Sequence, residues 1–360
     1  MRHPRLKPPY MPMEAEAVAE IPVGPQWAYE PKWDGFRCLA FRRGDEVALQ
    51  SKSGQPLSRY FPEIVAVLGD LPAADFVLDG ELAVPVRGRF SFDDLLQRIH
   101  PAASRIATLA EAAPAVYIVF DCLADAGERL TDRPLGERRE ALETFARRNF
   151  KNRGELKLSP LTHDLKRAQA WFRKVGGDLD GIVAKRLDLP YRGGERDGMR
   201  KIKKIRTADC VVGGFRCAEG KREVGSLLLG LYDERGLLHH VGFSASFKAA
   251  ERRALTKKLE PLIAESSFTG QAPGKPSRWS TKRSAEWKPL QLRHVVEVTY
   301  DHFTDGRFRH GTRIVRWRPD KRPRQCTLDQ LTPGGGRAAK LLEAGLPQRS
   351  RTRHARKTAR

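Results

Sequence analysis

The sequence predicts an α+β chain of two domains, the second a small β-barrel. Three observations point there. Strand-like runs and amphipathic helices alternate irregularly, without the steady βαβ rhythm of a parallel sheet. A Gly-rich and then strongly basic stretch, residues 192–206, divides the chain. Beyond it, short strands with turn signals and a single helix fill residues 206–332, the pattern of a small Greek-key barrel, the OB-fold among the candidates. The 360 residues, 40% of them hydrophobic, suffice for more than one core.

The elements follow in order. Residues 36–42 and 47–50 around Gly44-Asp45 read as a hairpin. Helices are expected over residues 61–68, 91–99 with Ser91 as N-cap, 135–148 and 165–175. The apolar runs 76–78, 82–84, 116–120 and 181–185 read as buried strands. In the second block, residues 210–215, 227–232, 237–243 and 295–300 read as strands and 250–263 as the helix. After Pro333-Gly334-Gly335-Gly336 apolar periodicity is lost. From Pro347 the chain is rich in Arg and Lys without an acid, which predicts a disordered tail. The domains expected are an extension over 1–20, a first domain over 21–205, a barrel over 206–332 and the tail over 333–360.

Composition narrows the function. Lys and Arg number 66 against 44 Asp and Glu, a net charge of +22. Such an excess attracts polyanions, nucleic acid first. No apolar run approaches the length of a bilayer span, and residues 1–20 lack the apolar stretch of a secretory signal. A cytoplasmic chain with no membrane partner is expected. The 5 cysteines are never spaced C-x-x-C, and the 9 histidines show no H-E-x-x-H spacing, so neither a disulfide framework nor a zinc site is indicated.

Six short segments carry candidate chemistry, each with a plain structural alternative. In Lys32-Trp33-Asp34-Gly35 a lysine can act as a nucleophile once it loses its proton, with Trp33 and Phe36 as an apolar wall and Gly35 allowing close approach of a ligand. The alternative is a surface lysine beside a turn. Asp79-Gly80-Glu81 sits between apolar runs, where two carboxylates suit a cation or a hydroxyl; the alternative is a solvated Asp-Gly turn. Phe120, before Asp121, can stack on a base, or be core. Asp180 precedes a strand that carries Lys185. Alternation puts Lys201 and Lys203 on one strand face opposite Ile202, a pair that an anion would relieve, unless the segment is a solvated linker. The same alternation pairs Arg316 with Arg318, suited to phosphate, ahead of Asp320 and Lys321, or else makes a basic edge strand.

The order and spacing of these segments resemble those of the covalent nucleotidyltransferases: ATP-dependent DNA ligases, RNA ligases and capping enzymes. Lys32-Trp33-Asp34-Gly35 is similar to the K-x-D-G nucleophile motif, and Ser51-Lys52-Ser53-Gly54 to the S-R-x-G motif. Leu78 to Glu81 resembles the D-G-E motif, Phe120-Asp121 the aromatic-acidic motif, and Asp180 to Lys185 the E-G-[IV]-[VM]-x-K motif. Lys201-Ile202-Lys203 matches K-x-K, and Arg316 to Lys321 the C-terminal R-x-D-K motif. Segments such as Phe61-Pro62-Glu63 and Tyr191-Arg192-Gly193 are similar to bacterial ligases of the C and D groups, and the absence of polymerase and nuclease modules matches the stand-alone C type. Two departures stand out: Lys52 replaces the usual arginine, which turns a bidentate contact into a point charge, and Asp180 replaces the usual glutamate.

The resemblance implies a nucleotidyltransferase domain followed by an OB-fold, and a ligase that joins nicks in double-stranded DNA, in repair, through lysine–AMP and DNA-adenylate. It implies ATP and Mg²⁺ or Mn²⁺ as cofactors. Lys32 would be the nucleophile; Glu30 would read the adenine, Phe120 would stack on it, and Arg37 and Glu81 would hold the ribose and neighbouring groups. Lys52, Arg196, Lys201 and Lys203 would complete the nucleotide contacts, with Glu81 and Asp180 as metal ligands. Arg316, Arg318 and Lys321 would meet the β- and γ-phosphates when the domains close. A monomer at the nucleoid, working with a repair polymerase or end-binding protein, is the expected setting. RNA ligation, capping, or silent binding of DNA ends are the rival functions.

Overall fold

A computed structural model of the chain describes residues 5–173, 179–274, 286–304, 306–309, 311–331 and 341–342. It divides into two compact units, Met1–Lys203 with Gly334–Arg360, and Lys204–Pro333.

The first unit holds two sheets. Strands β1 (Trp27–Trp33), β2 (Phe36–Arg43), β3 (Glu46–Ser51), β4 (Asp75–Ala83), β5 (Val116–Asp125), β6 (Leu179–Arg186) and β7 (Met199–Lys203) form most of them. One sheet runs Glu16–Ala17, β7, β6, β1; the other runs Leu156–Leu158, β5, β4, β2, β3. The second is covered on both faces. In β2, Cys38 and Ala40 join a core with Ile64, Leu68, Leu95, Leu142 and Phe145 from the helices Pro62–Gly69, Phe92–Gln97 and Leu135–Asn149. Leu39 and Phe41, pointing the other way, pack with Met13, Tyr191 and Met199.

The predicted hairpin is present, with β2 and β3 antiparallel and Gly44 at φ +57° in the turn. Pro62 opens its helix at a position where no N–H is needed, and the Ser91 side chain accepts from Asp94 N at 3.2 Å. Asp79-Gly80-Glu81 lies inside β4, paired with both β2 and β5, which excludes the alternative of a solvated turn. Gly80 is needed there because a Cβ would stand 2.5 Å from the Tyr117 ring. The helix Ala103–Ala112 was not anticipated; its first turn carries no acid and its N-cap is Ala102, so it lacks a start signal.

Residues expected as a plain extension form an arm on this unit. Tyr10 N donates to Gln50 Oε1 at 2.8 Å, and Gln50 Nε2 returns a bond to Tyr10 O at 2.6 Å. Met13 is buried, and Glu16–Ala17 pairs in parallel with β7. The expected disordered tail lies outside the described residues except Leu341 and Leu342, which pack, beside Phe172, against the cluster of Trp33, Phe90 and Leu179.

In the second unit, β8 (Arg206–Cys217), β9 (Val224–Tyr232), β10 (Leu238–Ser244), β11 (Val295–Tyr300) and β12 (Arg313–Trp317) pair in the order β10-β9-β8-β11-β12. The two edges meet through the bridge Ser244↔Thr312, where the Ser244 hydroxyl donates to Thr312 O at 2.8 Å. The sheet thus curls as an OB-fold does, joined at its edges by that bridge and not, among the described residues, by a full ladder. The expected helix stops at Leu259 and becomes a 3-10 turn over Glu260–Leu262, because Pro261 has no N–H to continue it.

His240 on β10 is buried against the Phe268 ring, 5.5 Å between centroids. Burial, with Arg307 and Arg216 nearby, pushes its imidazole down to about 3. Between that value and the unfolded value of 6.5, the unfolded chain binds a proton that the folded chain refuses. Stability therefore rises with pH in this window and falls on acidification, by up to ~1.4 kcal/mol per pH unit. Urea midpoints of the full chain between pH 7 and 5 are expected to fall, and His240→Leu should flatten that slope. An unchanged slope in the variant would refute the assignment.

Candidate active site

A cavity of 880 Å³ lies within the first unit, lined by β1, β2, β6, β7 and the N-terminal arm. Side chains two apart on a strand share a face, so β1 directs Glu30 and Lys32 into it. Registry with β6 and β7 sets their neighbours. Lys32, Gly181 and Lys203 form one row across the sheet, and Glu30, Val183 and Lys201 the next.

The pairing of β6 with β1 shifts register between Leu179 and Gly181, leaving Asp180 as the bulged residue. A bulge re-aims a side chain, and here the Asp180 carboxylate reaches Lys32 Nζ at 2.6 Å and Lys203 Nζ at 2.9 Å. Gly181 makes the bulge possible: its φ is +151°, and a Cβ would stand 2.0 Å from Ile202 O. Burial pulls the Lys32 ammonium down, but Asp180, with Glu81 and Asp34, outweighs it, and the net direction is up. Lys32 is therefore held as an ammonium in this arrangement. Lys201 moves the opposite way, lowered by burial and by Lys32, Lys203, Lys52 and Arg196.

At the inner end, Glu30 is 2% exposed and accepts from Lys185 Nζ at 2.8 Å, with Arg139 Nη1 at 3.9 Å. Lys185 Nζ also lies 4.4 Å from the centroid of Phe120, and the Arg37 guanidinium lies 4.6 Å from it. Arg37 lines the cavity, but its guanidinium is taken by Asp79, at 2.5 and 2.6 Å, and by Met13 O at 3.3 Å. Asp79 also accepts from the Tyr191 hydroxyl at 2.6 Å. In this structure Arg37 thus braces Phe120 and the arm through its Nε and Nη2, and it lines the cavity. Gly35 also lines the cavity, and a Cβ there would stand 2.1 Å from Leu82 O, so the backbone itself requires glycine at this position.

Glu81 faces the cavity beside Lys32. Desolvation pushes its carboxyl up to about 7, against the pull of Lys32 and Arg37. Among the described residues no group of three metal-ligating side chains occurs. Mg²⁺ is commonly held by one or two carboxylates plus phosphate oxygens. Asp180 and Glu81, both in electrostatic contact with Lys32, fit that pattern as a donor pair. Lys52 and Arg196 are both paired with Glu14 of the arm.

Arg316, Arg318 and Lys321 lie on the second unit. Arg316 on β12 pairs with Glu297 at 2.6 Å. Arg318 bonds Asp209 and Asp320, and Lys321 bonds Asp209 at 2.7 Å. Asp209 and Glu297 face each other across β8 and β11, and Glu297 faces Arg316, so the arginines share one face as predicted.

A family model described as ATP dependent DNA ligase domain matches residues 12–203, and one described as ATP dependent DNA ligase C terminal region matches residues 220–321. The chain belongs to the ATP-dependent DNA ligases. It is 45% identical to DNA ligase C2 of Mycolicibacterium smegmatis over 342 residues, 90% of this chain and 94% of that protein. DNA ligase C of Mycobacterium tuberculosis is 43% identical, again over 90% of this chain and 94% of the relative. A solved structure from a study of Lig E DNA ligases on a minimal scaffold covers 85% of this chain with a TM-score of 0.51 and 16% identity, a likeness of fold.

For a ligase of this build, sequence reasoning gave no role to Lys185, although it closes the Asp180 motif, and none to Tyr191. Glu14 carried no motif at all. Lys185 is the clearest omission, since its removal would leave Glu30 buried without its close cation. Lys185→Met is expected to lower unfolding free energy by about 3 kcal/mol. Adding Glu30→Gln should restore part of that loss. Equal losses in the single and double variants would argue against the pair.

Proposed function

We propose that this ligase seals 5′-phosphate/3′-hydroxyl nicks in double-stranded DNA by way of AMP carried on Lys32. The observation that supports this most is the position of Lys32, at the cavity wall and joined through Asp180 to Lys203 of the strand that also carries Lys201. In the first step the neutral Nζ bonds to the α-phosphorus of ATP, and the bond to pyrophosphate breaks. The phosphoramidate then passes AMP to the 5′-phosphate, and attack by the 3′-hydroxyl releases it. Such transfers rest on alignment and charge stabilisation.

Lys201 and Lys203 would face the non-bridging oxygens. Phe120 offers a ring to the base beside the Glu30–Lys185 pair. Arg316, Arg318 and Lys321 would serve the departing pyrophosphate. Mg²⁺ or Mn²⁺ held by Asp180 and Glu81 would supply positive charge against phosphate oxygens. Lys32 can give up its proton once Asp180 is no longer its partner.

A role in repair agrees with the likeness to the multifunctional non-homologous end joining protein LigD of Pseudomonas aeruginosa, 30% identical over 94% of this chain and 39% of that one. A cellular repair polymerase or end-binding protein is the partner we infer. Among the described residues no helix is long and apolar enough to cross a membrane, and nothing in the charge of +22 opposes work at the nucleoid.

Incubation with α-labelled ATP and Mg²⁺ tests the nucleophile. Acid-stable label should appear on the wild type, discharge on nicked DNA, and be absent from Lys32→Ala. Label that persists in the variant would overturn the assignment.

A further inference from the structure

The N-terminal arm places one carboxylate where the site handles phosphate. Glu14 Oε1 lies 3.1 Å from Lys52 Nζ, and Glu14 Oε2 lies 2.9 Å from Arg196 Nη2. Arg196 Nε donates to the same oxygen at 3.1 Å. The cations are long, open side chains, 58% and 66% exposed, whereas Glu14 is 17% exposed. Its backbone is fixed as well. Glu14 N donates to Glu195 O at 2.8 Å, Met13 N to the Tyr191 hydroxyl at 3.0 Å, and Gly194 N to Pro12 O at 3.1 Å. A Cβ on Gly193 would stand 2.5 Å from Met11 O, so the arm lies tight against that loop. The hydrogen bond from Lys52 holds the Glu14 carboxyl below the usual carboxylate range, so it stays an anion at neutral pH.

Two exposed cations thus converge on one anchored anion at the wall of the cavity, which Glu14 and Lys52 both line. An arginine and a lysine sharing two oxygens of one anion is also how a phosphate is held. A carboxylate carries one negative charge, and a terminal phosphate carries close to two at neutral pH. The phosphate is the stronger ligand for the same pair.

We propose that Glu14 is a built-in competitor for phosphate, which occupies Lys52 and Arg196 until a substrate's phosphate group displaces it. The proposal rests on the reading of this cavity as a ligase site. It assigns to the arm a tuning role: it keeps both cations gathered at the cavity and weakens the hold on phosphate, which favours release. Two sources share the chemistry, the 5′-phosphate of a nick and the phosphates of ATP.

Glu14→Gln keeps the shape of the side chain and removes its charge. Affinity is measured in two arms, on the full chain. One arm compares nicked DNA ending in 5′-phosphate with the same DNA ending in 5′-hydroxyl. The other measures the ATP concentration for half-maximal Lys32 labelling. The variant should bind one phosphate source roughly five- to tenfold more tightly, as the loss of two exposed ion pairs allows. The gain should vanish when Lys52→Ala and Arg196→Ala are added. Gain with 5′-phosphate DNA alone assigns the site to the nick; gain with ATP alone assigns it to the nucleotide. No gain in either arm, or an equal gain with 5′-hydroxyl DNA, overturns the proposal. Failure of the ligase reading itself would show differently, as absence of label on the wild type.

Discussion

The ion triad of Lys32, Asp180 and Lys203 is the constraint on which the site depends. One carboxylate at a β-bulge bridges Lys32, the proposed nucleophile, on one strand and Lys203 two strands away. The bulge exists because Gly181 tolerates a backbone that a side chain would not. The consequence is chemical. A lysine bonded to a carboxylate at 2.6 Å keeps its proton, and a protonated lysine is no nucleophile. Under the proposed function, Asp180 would hold Lys32 in an aligned, protonated form, and release of that carboxylate would be part of activation.

The rest of the cavity wall is built from charges that satisfy one another. Glu30 with Lys185, and Asp79 with Arg37 and Tyr191, are pairs that would be costly to bury singly. Together they place two cations close to the ring of Phe120. The ring is thus fixed by electrostatics as well as by packing. The second unit repeats the device. Its arginines are held by Asp209 and Glu297, aligned across the sheet, and by Asp320 in the turn that follows, so their side chains are ordered by carboxylates.

Much of this was legible in the sequence where local chemistry is decisive. The β2–β3 hairpin announced itself through its turn, and β11 has the predicted bounds, Val295–Tyr300. Lys201 and Lys203 fall on one strand face with Ile202 buried behind them, as alternation requires. Other features depend on tertiary contact. The Asp-Gly pair left a turn open as an alternative for Asp79 and Glu81, yet Gly80 answers to Tyr117, far along the chain. Gly35 answers to Leu82 O in the same way. The partners of Lys32, Arg37 and Glu30 are set by strand registry, which single-sequence patterns do not encode. The arm that brings Glu14 to Lys52 and Arg196 has no periodicity, and its order comes from Gln50 and Tyr191.

The most direct measurement is the titration of Lys32 itself, followed by NMR of isotopically labelled lysine side chains in the full chain, with Lys32→Arg to assign the signal. Lys32 should titrate above the ordinary 10.5 in the wild type and clearly lower in Asp180→Asn. A Lys32 that titrates well below 10.5 in the wild type, unmoved by Asp180→Asn, would contradict this.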